Sequence, residues 1–155
     1  MRLTRFTEYG LRVLMYTASA PAGRTTIAEI AQAFSISQSH LMKVVHQLGR
    51  MGVLANVRGR NGGIRLAADP SAINVGSVVR VTEGTGRPAE CFESDGRPCR
   101  IAGVCRLERA LQKALDAFYW TLDQVTLADL VSNKEVLVAG LHRRPKPQAA
   151  VAACQ

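Results

Sequence analysis

Apolar residues recur at helical spacing from the N-terminus to about Met51, and a shorter beat follows. Over Thr4 to Thr17 the positions Phe6, Leu11, Val13, Leu14 and Thr17 predict a first helix. Thr4 or Thr7 is its expected cap. Ala20-Pro21-Ala22-Gly23 reads as a turn. Ile27, Ile30, Ala31 and Phe34 give the inward face of a second helix, capped by Thr25 or Thr26, with Glu29 at capping-box spacing from Thr26. Ser35-Ile36-Ser37 breaks the pattern. A third helix runs from about Gln38 to Met51, capped by Ser37, and buries Leu41, Val44, Val45 and Leu48.

The outer face of that third helix carries Gln38, Ser39, Lys43, His46, Gln47 and Arg50. Two helices joined by a short turn, the second polar and basic outside, make a helix-turn-helix spanning about Ala28 to Met51. Leu54 to Arg58 and Ile64 to Leu66 are strand-like, joined by Gly59-Arg60-Asn61-Gly62-Gly63. A hairpin placed there is a wing that presents Arg58, Arg60 and Asn61. Arginine on a slim loop suits the negative potential of a minor groove.

Ala67 to Ser71 reads as a linker, and Ile73 to Glu83 as a short helix burying Val75, Val78, Val79 and Val81. From Cys105 to about Gln124 a long amphipathic helix aligns Leu107, Leu111, Ala114, Leu115, Phe118 and Leu122. Such a stripe after a small domain needs something to pack on, either the rest of the monomer or, the favoured reading, a partner subunit, in which case two winged units would read two half-sites. Thr126 to Val131 reads as a short final helix. The expected architecture is mainly α with a small β-hairpin wing. Residues 1–83 form the winged helix-turn-helix, 84–105 a cysteine loop, 106–141 the dimerisation and C-terminal helices, and 142–155 a disordered tail.

Composition sharpens this picture through charge. Of the net +8, residues 1–66 hold nine Lys/Arg against Glu8 and Glu29, whereas residues 67–155 hold eleven against ten. A basic N-terminal half beside a near-neutral remainder is the footprint of a nucleic-acid reader. No apolar run approaches the roughly 18 residues of a membrane span. MRLTRFTEYG is too polar for a signal peptide, so a cytoplasmic protein with reduced thiols is expected.

Three of the four cysteines, Cys91, Cys99 and Cys105, lie in AECFESDGRPCRIAGVCR at C-x(7)-C-x(5)-C spacing. Gly96, Pro98 and Gly103 keep the segment from forming a regular helix or strand. A loop carrying three soft sulfur donors suits an iron–sulfur cluster, zinc or copper(I). Structural zinc usually adds a C-x(2–4)-C knuckle, which is missing. There is no C-x-x-C motif, no nucleotide-binding Gly motif and no acid–base pair, and His40, His46 and His142 are scattered, so an enzyme is not expected. Cys154, in the tail, reads as a bystander.

The opening MRLTRFTEYGLR, the wing VRGRNGGIRL, the stretch VVRVTEG and the cysteine triplet resemble the winged-helix iron–sulfur repressors typified by NsrR, IscR and RirA. The resemblance covers about residues 1–140. CRLERALQKALDAFYWTLDQVTLADLV is most similar to the nitric-oxide-responsive branch. This resemblance implies a homodimer with one cluster per subunit, 4Fe-4S rather than 2Fe-2S, controlling binding to double-stranded operators of nitric-oxide detoxification genes. It also implies Cys91, Cys99 and Cys105 as ligands, with an acidic residue of the partner's first helix as the fourth; the corresponding residue is Glu8. The alternative for Glu8 is a solvated carboxylate at a helix N-terminus. Two further features bear on the branch. Glu108 departs from IscR-type members, which carry a ligand His at that position, and the C-x(7)-C gap with AECFESDG is similar to the iron-responsive RirA group. At the groove, Gln38, Ser39, His40 and Lys43 are the expected contacts, with Arg58, Arg60 and Asn61 on the wing.

Overall fold

The computed structural model describes residues 2–59, 62–84, 92, 99–101 and 104–142. Helix α1 (Arg5–Ser19) starts at Thr4, whose hydroxyl accepts from the Thr7 N–H at 3.2 Å. Thr4 is itself held by Glu83, which accepts from its N–H at 2.7 Å and from its hydroxyl at 3.1 Å. Thr7 is fully buried, so of the two expected caps only Thr4 serves.

Helix α2 (Ile27–Phe34) carries the capping box anticipated for Thr26 and Glu29. The Glu29 N–H donates to the Thr26 hydroxyl at 3.2 Å, and the Thr26 N–H donates to Glu29 at 2.7 Å. The helix stops because Ser35 turns left-handed at φ 54°. Ile36 then drops into the core, and Ser37 caps α3 (Gln38–Arg50).

The hairpin pairs β1 (Leu54–Val57) with β2 (Gly63–Leu66) antiparallel, with Leu54 opposite Leu66 and Val57 opposite Gly63. Glycine is required at its closed end. A Cβ on Gly62 would lie 2.7 Å from the Val57 carbonyl oxygen, and one on Gly63 would collide with the carbonyl of Thr25. Thr25 extends the sheet by one bridge: its N–H donates to Ile64 at 2.9 Å and its carbonyl accepts from Ile64 at 2.7 Å. The base of the wing is thereby bolted to the residue that precedes the α2 cap.

Val13 and Leu14 of α1, Ile30 of α2, Leu41, Val44 and Leu48 of α3, Leu54 and Ile64 of the hairpin and Val78 of α4 (Val75–Glu83) form one core. Each fully buried aliphatic side chain of this kind contributes about 1.5–3 kcal/mol. Three expectations for this region are corrected. The segment read as a linker ends in a 3-10 turn, Pro70–Ala72, capped by Asp69. Val81 is 47% exposed, and Thr82 faces inward in its place, donating to the Val78 carbonyl. Ile73 is buried but precedes the helix, whose cap is Asn74.

Helix α5 (Arg106–Asp123) spans about 27 Å at 1.5 Å per residue, and none of its residues is fully buried. Its stripe is half-covered at Leu111, Leu115, Phe118 and Leu122, while Leu107 is 65% and Trp120 67% exposed. Only its C-terminal end is tied to the winged unit. Arg80 of α4 grips Asp123 with both guanidinium nitrogens, at 2.5 and 2.6 Å, and Asn74 donates to the Asp123 carbonyl at 2.7 Å. The Arg80 guanidinium also stacks over Tyr119, 4.6 Å from its ring centre.

After α5 the chain returns to the winged unit. The Val75 N–H donates to Val125 at 2.9 Å, and the Leu127 N–H to Ile73 at 2.8 Å. Leu127, in the short α6 (Leu127–Leu130), is 1% exposed and completes the core. The helix expected to be final is followed by another, α7 (Lys134–His142), which rests on α1 and α2. The expected tail beyond His142, including Cys154, lies outside the described residues.

Candidate nucleic-acid interface and cysteine centre

Helix α3 places its predicted groove residues as its periodicity demands. With Leu41, Val44, Val45 and Leu48 buried, Gln38, Ser39, His40 and Lys43 are exposed on the other side. His46 and Arg50 extend this surface toward the C-terminus. Ser37 accepts from the His40 N–H at 3.4 Å, and its hydroxyl lies 3.3 Å from that of Ser39. The exposed side of the N-terminal turn, the part of a recognition helix that reaches base edges, thus carries the polar side chains of Gln38, Ser39 and His40.

On the wing, Arg58 is exposed at the end of β1, and Gly59 follows at φ 105°. Arg60 and Asn61 lie outside the described residues. Arg65 is a further exposed cation on β2 that the sequence reading left out; its guanidinium donates to the Leu66 carbonyl at 3.0 Å. Strand alternation flags it, because Ile64 points inward and Arg65 must then point out.

The wing base and the α2 cap share one electrostatic arrangement. The Glu29 carboxyl is held below its ordinary value by the Thr26 N–H and the Thr25 hydroxyl. Tyr16 is pushed up by burial and by the nearby Glu29 charge. Both groups therefore keep their pH 7 charge state, and the joint between α2 and the wing does not titrate near neutrality.

Of the predicted cluster ligands, Cys99 is exposed and Cys105 half-buried, and neither is in a disulfide. Cys91 lies outside the described residues. Cys105 is the N-cap of α5, and its side chain makes no capping hydrogen bond. The N–H groups of the first α5 turn therefore face a position held by sulfur, where the positive end of the helix favours an anion. That environment fits a thiolate bound to a metal cluster. Among the described residues, no three His, Cys, Asp or Glu side chains come together as a metal site.

Glu8 lies in the first turn of α1 and pairs with Arg12 one turn on. The Arg12 guanidinium sits 5.4 Å over the ring of Phe34, which packs edge-on against Tyr16. Glu8 thus meets a cation shared with α2, just ahead of the turn into α3. Within one chain, Glu8 is not grouped with Cys99 and Cys105.

The profile of Rrf2, described as an iron-dependent transcriptional regulator, matches residues 3–133. The chain belongs to the Rrf2 family. Rrf2 relatives include the HTH-type transcriptional regulator NsrR of Bacillus subtilis (strain 168), 48% identical over 136 residues, or 87% of this chain and 93% of that one. The NsrR of Geobacillus kaustophilus (strain HTA426) is 48% identical over 145 residues, covering 93% and 99%. Among solved structures, T. potens IscR superposes with a TM-score of 0.69 at 25% identity, covering 88% of this chain and 90% of its own. CymR, titled the global cysteine regulator of B. subtilis, gives 0.65 at 30% identity, covering 86% and 98%. This Rrf2 protein is a DNA-binding transcriptional regulator and not an enzyme. Among the described residues, no helix is long and apolar enough to cross a membrane.

Proposed function

We propose that this Rrf2 regulator is a homodimeric repressor that carries an iron–sulfur cluster and leaves the operators of nitric-oxide detoxification genes when nitric oxide reaches that cluster. The observation that carries the reading is the placement of Cys105. It heads a helix with no fully buried residue, and the far end of that helix is clamped to the winged unit through Arg80 and Asp123. A change at the cysteine end is then transmitted along α5 to the element that carries the recognition helix. The NsrR name of relatives 41–48% identical supports nitric oxide as the signal.

Cys91, Cys99, Cys105 and Glu8 of the partner subunit would hold the cluster, favoured as 4Fe-4S, one per subunit. When bound, that group supplies iron that reacts with nitric oxide, and a carboxylate ligand leaves one iron weakly held. The chain's own residues then do the rest. Cys105 fixes the loop to the head of α5, and the half-covered stripe of α5 packs on the second copy. Glu8 pairs with Arg12, whose contact with Phe34 reaches α2, so a Glu8 that held a cluster would link it to the helix-turn-helix. Two half-sites are bound together only while the two α3 helices keep their separation, so a small shift costs several kcal/mol. Cytoplasmic location follows from contact with operator DNA.

A second reading, sensing of iron or cluster status, is favoured by the family description and by the likeness to IscR. Native mass spectrometry of anaerobically purified protein separates the two. A cluster-loaded dimer converted by low stoichiometries of nitric oxide supports the proposal. A cluster inert to nitric oxide but lost to an iron chelator supports the second reading. Zinc, or no metal, overturns both.

A further inference from the structure

Within α1, α2, α3 and the hairpin, Met42 is the one large apolar side chain among the described residues that is more than half exposed, at 54%. Its neighbour Leu41 is fully buried, so helix geometry alone carries Met42 outward. It lies one turn after Gln38 and Ser39 and one turn before His46, on the exposed side of α3. Of the other exposed large apolar residues, Ile101, Val104, Leu107 and Trp120 lie on α5 or just ahead of it, where a second copy would pack, Val81 lies on α4 and Val136 on α7. Met42 belongs to neither the core nor that stripe.

Slightly more than half of Met42 is open to solvent, and its neighbours on that face of α3 are Gln38, Ser39, Lys43 and His46. An apolar group held out among polar ones is placed to meet a partner. The major groove offers one protruding apolar group, the C5-methyl of thymine, among an array of hydrogen-bond donors and acceptors. Side chains on a helix lean toward its N-terminus, so Met42 leans over the first turn of α3, the part that enters the groove most deeply. Methionine also adapts its shape to a contact better than a branched residue does. We propose that Met42 reads the methyl group of a thymine in each operator half-site. This rests on α3 being the groove element, and it adds a specificity residue that the polar contacts do not supply.

The test uses the full-length, cluster-loaded protein and a duplex it selects from a random library. Each thymine of that duplex is replaced in turn by uracil, which removes the methyl and leaves every hydrogen-bonding edge in place. One position per half-site should weaken binding, by about fourfold, the value of one apolar group of methyl size. The same uracil change should cost nothing further in Met42→Ala, while Met42→Leu should keep the preference. Because Met42 is exposed, the thermal unfolding curves of both variants should match that of the parent. A flat uracil scan on a specifically bound duplex overturns the role of Met42 alone, as does a uracil effect that persists in Met42→Ala. Failure to enrich any sequence overturns the groove reading of α3 as well.

Discussion

Arg80 and Asp123, 43 positions apart, meet through two parallel hydrogen bonds, and a methylene is missing where they meet: Gly76 has no room for a Cβ beside the Asp123 carboxylate. The α4–α5 joint therefore depends on one charge pair and one absent side chain. Gly76→Ala should destabilise the protein by about 1–3 kcal/mol, the usual cost of overpacking. Urea unfolding reads this directly. Gly140→Ala makes the control, since nothing lies near that position and the helical residue gains about 0.5–1 kcal/mol. Equal losses in the two variants would dissolve the clamp.

Among the described residues, four carboxyls sit below their ordinary values. Asp123 is lowered by Arg80, Asp69 by the Ser71 hydroxyl, Asp129 by the Thr126 hydroxyl, and Glu29 by the Thr26 N–H. Each favours the folded, ionised state. Their stabilisation is complete above the ordinary values of 3.8 and 4.5 and disappears as pH falls through the lowered ones. Stability from these groups should be level from neutrality down to about pH 5 and should fall modestly below about pH 4, since solvent reaches all four carboxyls. Arg80→Ala should move the Asp123 titration back toward 3.8 in a carboxyl-resolved NMR titration. An unmoved curve would mean the pair is absent in solution.

The groove and wing cations should appear in the salt dependence of operator binding. Lys43→Ala and Arg58→Ala should each reduce the slope of log affinity against log salt by about 1 if the residue meets a phosphate. Arg60→Ala is expected to weaken binding as well. Unchanged affinity for Arg60→Ala would take the wing out of the interface.

Cysteine substitutions test the centre without any DNA. Cys99→Ala and Cys105→Ala should prevent recovery of the visible absorbance of an iron–sulfur cluster on anaerobic reconstitution. Cys154→Ala should leave it intact. Retained absorbance in Cys105→Ala would break the link between the cluster and α5.

Much of this was legible in the chain itself. Buried faces announced themselves by spacing, as with Leu41, Val44 and Leu48 against Gln38 and Lys43, because a helix separates them by geometry alone. The capping box of Thr26 and Glu29 was equally readable, since its chemistry is local. The Thr25–Ile64 bridge, the Thr4–Glu83 tie and the Arg80–Asp123 clamp were not, for each joins residues whose nearness is decided by the packing of other elements. Val81 misled because its apolar character fitted the stripe, whereas Thr82 could go inside by giving its hydroxyl to a helix carbonyl. Met42 was passed over for the opposite reason, as an apolar residue on a face read for polar ones.

The Thr25–Ile64 bridge bears on operators as well as on folding. It joins the base of the wing to the start of the helix-turn-helix, so within one protomer the offset between α2 and the base of the wing is a fixed length. In the proposed dimer, any give between two protomers would have to lie between their α5 helices, beyond the joint that Arg80 and Asp123 hold. A family of binding sites for this protein would then vary in the spacer between half-sites while each half-site kept one internal ruler.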